Sequence, residues 1–298
     1  MADDGYPERL RVLVDGYLEG LRFSREVATA GLEEAMRYSL LAGGKRVRPV
    51  LALATAEAIG EAPASMLPLA AAIELIHTYS LIHDDLPAMD DDELRRGRPT
   101  CHVAYGEDVA ILAGDGLYAE AFRHLLLESP QGADRVLAAA IELADATGVG
   151  GMVGGQYVDV SAGAPADAQG LRRLHELKTG RLIGASVICV LLLSSKETGV
   201  DQEPLRRYAA ELGVLFQIVD DILDVTGTDE ALGKPQGSDE RHGKRTYVSE
   251  FGLEGARRLA QEAHAACREL LDRASERWGE ERLGALLSVT DYVYMRSS

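Results

Sequence analysis

Two aspartate clusters set in apolar, helix-forming text constrain this chain more than any other feature. The first reads His83-Asp84-Asp85-Leu86-Pro87-Ala88-Met89-Asp90-Asp91-Asp92 and closes a strongly apolar run; the second reads Phe216-Gln217-Ile218-Val219-Asp220-Asp221-Ile222-Leu223-Asp224. Carboxylates among apolar neighbours are costly to bury without a partner, so the fold must bring cations to both. Pro87 should end or bend the first helix, gathering its acids at a C-terminus where the dipole already favours cations. In the second cluster Asp220 and Asp224 are four apart and share a helical face, with Gln217 three before Asp220 on the same side. Hard oxygen ligands with room for water and phosphate suit Mg²⁺; neither cluster has the spacing or central Gly of an EF-hand. One DDxxD on a helix is most often a solvated acidic face. A second acidic cluster, on a different helix and among apolar residues, argues against that reading here.

The rest of the chain must therefore supply helices. Leu10, Leu13, Val14, Tyr17, Leu18 and Leu21 recur at spacings of three and four. Further helices are expected from Pro49 to about residue 59, from Pro63 and Pro68 to about Asp85, and over 107–128, 134–147, 168–194, 201–226, 252–278 and 280–294. Strand alternation and hairpin signals are absent. Ala, Leu and Glu are plentiful while aromatics make up only 5%, which favours helix over sheet. Two loops stand out, 161–170 and 226–244; neither reads as an interdomain linker. The expectation is one all-α domain over residues 1–298.

The formal charge of −17 argues against nucleic acid or an anionic membrane as partner. Cys101, Cys189 and Cys267 are too far apart and too few for a disulfide framework or zinc site. The acidic, polar N-terminal text is not a secretory signal. The longest apolar run, 182–193, is too short to span a bilayer. A cytoplasmic protein without integral membrane segments is the expectation.

Cationic groups punctuate this acidic chain. Gly43-Gly44-Lys45-Arg46-Val47-Arg48-Pro49 places Lys45 and Arg48 three apart at a helix start, where free N–H groups also favour anions. Its glycines let backbone approach a ligand closely. Arg95 and Arg96 follow the first acidic cluster, and guanidinium forks match phosphate oxygens. Lys178-Thr179-Gly180-Arg181, Lys234 and Lys244 add further cations; Arg98 and Arg181 read as surface charge. His77 lies two helical turns before Asp84, on the same face.

These motifs, with Gly154-Gly155-Gln156-Tyr157-Val158-Asp159 and Gly233-Lys234, resemble in kind and order those of the trans-isoprenyl diphosphate synthases, the polyprenyl synthetase family, most closely its farnesyl type. The resemblance covers about residues 40–250. It implies an all-α isoprenoid-synthase bundle around a deep central cavity, in a homodimer. It implies three Mg²⁺ ions held by Asp84, Asp85, Asp90, Asp220, Asp221 and Asp224, and two substrates, isopentenyl diphosphate and an allylic diphosphate. On the same carry-over Lys45, Arg48, His77 and Arg96 match the isopentenyl diphosphate site. Arg95, Lys178, Thr179, Gln217 and Lys234 match the allylic site, and Lys244 a further lysine near the diphosphate. Arg95, Lys178, Thr179 and Gln217 are the candidate catalytic groups. A departure is Val248, where relatives often carry Pro after the Tyr.

The growing product should run along the helix that ends at Asp84. A helical turn is about 5.4 Å, close to one isoprene unit, so Tyr79 and Ser80 should form the floor. In the resembling family an aromatic five before the first Asp goes with a fifteen-carbon product, farnesyl diphosphate; smaller residues go with the twenty-carbon geranylgeranyl product, the alternative. A class I terpene cyclase would carry Asn, Ser and Glu in its second metal motif. A non-catalytic partner subunit would lose aspartates. This chain keeps both sets.

Overall fold

In the computed structural model, which describes residues 6–161, 163, 168–195, 202–227 and 244–296, helices pack around one long central helix. In chain order they are α1 (Glu8–Gly20), α2 (Ala30–Leu40), α3 (Val47–Ala58), α4 (Leu67–Asp84), α5 (Cys101–Tyr105), α6 (Glu107–Glu128) and α7 (Ala133–Thr147). There follow α8 (Met152–Val160), α9 (Ala168–His175), α10 (Arg181–Leu193), α11 (Glu203–Thr226), α12 (Tyr247–Trp278) and α13 (Glu280–Met295). A single π-turn, Glu176–Gly180, joins α9 to α10. The expected helices are present within a few residues. The structure adds α2, α5 and α8, and splits the expected 168–194 helix at the π-turn.

Helix α4 is buried on nearly every side, from Leu69 through Ile76, by α6 and α3 and by lighter contacts with α10, α2 and α1. Each fully buried Leu or Ile there contributes on the order of 1.5–3 kcal/mol. This also explains its hydropathy: Pro63–Asp84 and Ala133–Val160 are both long and apolar enough to cross a membrane, contrary to the expectation that the longest apolar run lies at 182–193. In α4 that apolarity is spent inside the protein. The second segment is interrupted between α7 and α8, where Gly148 and Gly151 lie outside the helices.

Helix α11 follows the amphipathic rule instead, with one face packed on α12 and α10. Helix α12 starts with a capping box, in which the Thr246 hydroxyl accepts from Ser249 N and the Ser249 hydroxyl accepts from Thr246 N. It bends at Gly252, whose φ of +69° is left-handed, so the regular helix resumes there, near the expected start at 252. Val248 sits inside the first turn, and the absence of proline there leaves a regular helix start. The only strand pairing among the described residues is a two-residue ladder, β1 (Leu94–Arg95) against β2 (Arg98–Pro99), closing a tight turn after the first acidic cluster.

Candidate active site

Helix α4 ends at Asp84 because Pro87 cannot continue it. The chain then folds back: Asp90 N donates to Asp84 O at 2.9 Å, and Asp91 takes a left-handed φ of +52°. The acids of this loop point in different directions. Asp84 faces a cavity of about 480 Å³. Asp85 turns away and accepts from Arg95 Nε at 2.7 and 2.9 Å; Arg95 also reaches Asp92 at 3.4 Å. Asp90 is gripped by Lys244, whose Nζ lies 2.9 and 3.0 Å from its two oxygens.

The second cluster divides in the same way. Asp220 faces the same cavity as Asp84 and pairs with Arg296 at 3.3 Å. Asp221 is buried on the other side of α11, where its oxygens accept from Gln217 Nε2 and Tyr247 N, both at 2.7 Å. Asp224, expected to share a face with Asp220, is buried one turn further along and does not line the cavity.

The cavity brings together Arg48, His77, Tyr79, Ser80, Lys178 and Thr179 with these two aspartates. Arg48 Nη1 lies 3.5 Å from His77 Nε2, and its guanidinium stacks 5.1 Å from the Phe216 ring centroid. Its Nε is buried with no hydrogen-bond partner among the described residues. Burial pulls the Arg48 pKa down, and burial with the Arg48 charge holds His77 well below the usual imidazole range. That corner of the cavity thus presents one neutral ring and one under-solvated cation, which favours an anion.

The opposite wall is the π-turn, clamped by two glycines. A Cβ on Gly155 would come within 2.6 Å of Lys178 Cα, and one on Gly213 within 2.9 Å of Gly180 Cα. Lys178 Nζ donates to Asp159 at 2.6 Å. Asp221 can only accept, so Gln217 must turn its amide nitrogen to it. Gln217 Oε1 then accepts from the Thr179 hydroxyl at 2.8 Å. Thr179 thereby spends its proton and keeps its oxygen lone pairs free for the cavity.

Asp84 is a desolvated carboxyl. Burial pushes its pKa up to about 6, against the pull of Lys178. Gln156, from α8, donates to Asp84 Oδ1 at 2.7 Å, while its Oε1 is buried without a partner among the described residues. Gln156 and Asp159 were not singled out as site residues from sequence. Their i,i+3 spacing, which faces both along one side of α8, was the available signal. Arg46 was also missed. It is buried, reaches Glu74 on α4 at 2.6 Å and Asp15 on α1 at 2.9 Å, and so fixes the basic loop to the central helix.

The other sequence candidates lie outside the cavity wall. Lys45 sits over the Tyr292 and Tyr6 rings at 4.9 and 5.6 Å. Arg96 has a left-handed φ of +54° and donates to Gly43 O. Arg98 covers the Tyr38 ring. Arg181, read as surface charge, instead lines a second cavity behind the π-turn. Lys234 lies outside the described residues. Among the described residues no three carboxylate, imidazole or thiol groups converge closely enough to hold a metal unaided.

Comparison with known proteins bears on this geometry. A sequence profile described as polyprenyl synthetase matches residues 29–279. The chloroplastic geranylgeranyl pyrophosphate synthase of Capsicum annuum is 45% identical over 271 residues, spanning 90% of this chain and 72% of that protein. The farnesyl diphosphate synthase of Escherichia coli K12 is 46% identical over 268 residues, 89% of each. A geranyltransferase from Helicobacter pylori, crystallised with magnesium and isoprenyl diphosphate, superposes with a TM-score of 0.84 at 34% identity, covering 94% of both chains.

Proposed function

The chain belongs to the polyprenyl synthetase family and is a prenyltransferase, and we propose that it condenses isopentenyl diphosphate with dimethylallyl or geranyl diphosphate to give farnesyl diphosphate. The observation that carries the site reading is the shared cavity. Asp84 and Asp220, from separate helices, face one chamber between the π-turn and the Arg48–His77 corner.

The donor set fits Mg²⁺. Its oxygens are hard, and Asp220 and Asp90 already pair with the cationic side chains of Arg296 and Lys244. Mg²⁺ keeps waters and shares phosphate oxygens, so it does not need an all-protein cage. Asp84 and Asp220 would hold it, with Asp90 joining once Lys244 moves to phosphate; three ions per site is our reading. Bound there, it supplies Lewis-acid stabilisation of the departing diphosphate. Asp85 and Asp221 we read as anchors that orient Arg95 and Gln217.

The protein's own groups do the rest. Lys178 and Lys244 lie where they can take up negative charge as the allylic C–O bond breaks and its electron pair leaves with diphosphate. The Thr179 oxygen, its proton committed to Gln217, turns lone pairs toward the developing carbocation. Arg48 and His77 hold the isopentenyl headgroup, and Lys45 and Arg96 complete that side on substrate entry. The double bond then attacks from a near-attack pose, and the released diphosphate accepts the proton lost from the new chain. The apolar wall excludes water that would quench the cation.

Product length is set by Tyr79. Its ring lines the chamber and stacks edge-on against His83 at 4.9 Å and Tyr118 at 5.0 Å, and Tyr118 is backed by Phe122 at 5.3 Å. Close packing of α4 on α6 at Gly114, where any Cβ would strike His83, holds that aromatic stack in place. Incubating the pure chain with Mg²⁺ and both five-carbon diphosphates should yield fifteen-carbon product, and Tyr79→Ala should lengthen it. A twenty-carbon product from the wild type, or an unchanged length in the variant, removes Tyr79 as the stop. We also read the chain as a homodimer, because α6 to α8 leave Leu112, Leu127, Leu137, Ile141 and Tyr157 exposed. Light scattering that returned a single-chain mass would reject it.

A further inference from the structure

A second cavity lies behind the π-turn, with a volume of about 340 Å³, within the range of small-molecule sites. Its floor is nearly free of side chains: Gly180, Gly184, Ala209 and Gly213, with Ile188 and Val214 adding apolar surface. Gly213 serves helix packing, as its contact with Gly180 shows. Gly184 does not: it is buried, yet a Cβ there would meet nothing within 4 Å. The space above it is therefore not a by-product of close helix approach.

The rim carries Arg172, Arg181 and Arg206 from α9, α10 and α11. Arg181 Nε is buried with no hydrogen-bond partner among the described residues. That N–H can only donate, and a buried donor on a charged group is expensive to leave unpaired. His175, only 8% exposed, has its Nδ1 in the same condition. Burial holds its ring neutral, with a pKa of about 4, so this nitrogen can donate in the matching tautomer without adding charge. Glu142, Glu176 and Glu211 also line the cavity, although Glu176 is drawn outward to Arg173 at 2.8 Å. These carboxylates disfavour a bare inorganic anion, whereas the apolar floor rewards a ligand with a hydrophobic body.

We propose that this cavity binds a phosphate ester carried on a short apolar chain, with its head on Arg181 and His175 and its tail over Gly184. The site reaches the catalytic chamber through one shared wall. His175, Glu176 and Gly180 face the second cavity, while Lys178 and Thr179, in the same turn, face the first. A π-turn is a helix defect with an alternative register, so a ligand pressing on one face biases the other. The nature of the tail rests on the prenyltransferase reading; the anion site does not.

The test is isothermal titration of the full chain in EDTA with geranyl monophosphate, inorganic phosphate and geraniol as separate probes. EDTA silences metal-dependent diphosphate binding, so failure of the reaction and failure of this site read out separately. Geranyl monophosphate should bind the wild type, about tenfold or more weakly to Gly184→Leu, which fills the cavity, and likewise to Arg181→Met, which keeps its bulk. Arg48→Met, in the catalytic chamber, should bind as the wild type does. Hydrogen exchange over 175–180 should slow on binding. No wild-type binding, or undiminished wild-type affinity in either cavity variant, overturns the proposal, as does loss in Arg48→Met alone. Equal binding of inorganic phosphate or of geraniol overturns the amphiphilic anion, and unchanged exchange overturns the coupling.

Discussion

The two acidic motifs read almost alike, but the helices beneath them differ. Helix α4 is buried on nearly every side through Ile76, so its motif sits at a helix end and each carboxylate is aimed by a folded-back loop. Helix α11 is amphipathic, so its motif sits within regular helix and the helical period does the aiming. Both reach the same division of labour. The first acid, Asp84 or Asp220, faces the chamber; the second, Asp85 or Asp221, turns into protein. Asp85 is anchored by the Arg95 side chain. Asp221 is anchored by a backbone N–H and an amide. Similar text thus yields one anchor that orients a cation and another that joins two helices.

Neutralising the chamber-facing acids should have the largest effect. Asp84→Asn and Asp220→Asn should each lower turnover by roughly three orders of magnitude, on the scale of removing a key electrostatic group, with the helical circular dichroism intact. Near-normal turnover of either, at saturating Mg²⁺, separates that residue from the chemistry.

The anchors should report in stability. Asp221→Ala leaves the Tyr247 N–H and the Gln217 amide without their acceptor. Each orphaned group costs about 1–3 kcal/mol, so urea unfolding should lose about 2–6 kcal/mol. Asp220→Ala should stay within about 0.5 kcal/mol, since its ion pair with Arg296 is partly exposed. Equal losses would mean that the two acids are not divided as described.

A smaller and opposite effect is expected at Asp84. Its folded pKa, about 6, lies above the ordinary carboxylate value of 3.8. A raised acid pKa means that ionisation costs stability: the cost is present in full above the folded pKa and vanishes below the unfolded one. Each tenfold change in an acidity constant corresponds to about 1.4 kcal/mol, so Asp84→Asn should stabilise the metal-free protein at pH 8 by about 1–3 kcal/mol. The gain should disappear by about pH 4. Thermal melts in EDTA at the two pH values check this; a variant less stable at pH 8 would show Asp84 to be well solvated by its neighbours.

Much of this was legible in the sequence, for physical reasons. Helix α6 was bounded correctly because Gly106, with a φ of +93°, and the acids Glu107 and Asp108 mark its start. His77, Asp84, Asp220, Lys178 and Thr179 were legible because helical spacing and glycine-flanked motifs are local signals. The split between Asp84 and Asp85 was not, because it depends on Arg95 arriving across the β1–β2 turn. Gln217 was expected beside Asp220, but its i,i+4 partner Asp221 won because that oxygen is buried. Arg46 was not singled out, and Arg181 read as surface charge. Only the packing of α4 and α10 shows one tied to Glu74 and the other facing an enclosed space.

The mildest test concerns Arg296, which reaches Asp220 at 3.3 Å and stacks on Phe216 at 5.6 Å. This guanidinium and a divalent ion would compete for the same Asp220 carboxylate. Metal binding must therefore displace it, and that competition weakens apparent affinity. Both side chains are about a third exposed or more, so the pair is worth well under about 1 kcal/mol. Arg296→Gln should accordingly tighten Mg²⁺ or Mn²⁺ binding without substrate by only about two- to threefold. Because the pair is solvent-screened, the difference should fade as salt rises from about 0.05 to 1 M. Asp84, desolvated and hydrogen-bonded by the neutral Gln156 amide rather than paired with a guanidinium among the described residues, supplies the contrast. If Arg296→Gln binds metal no better at low salt, the two chamber-facing acids do not differ in how they wait for their cation.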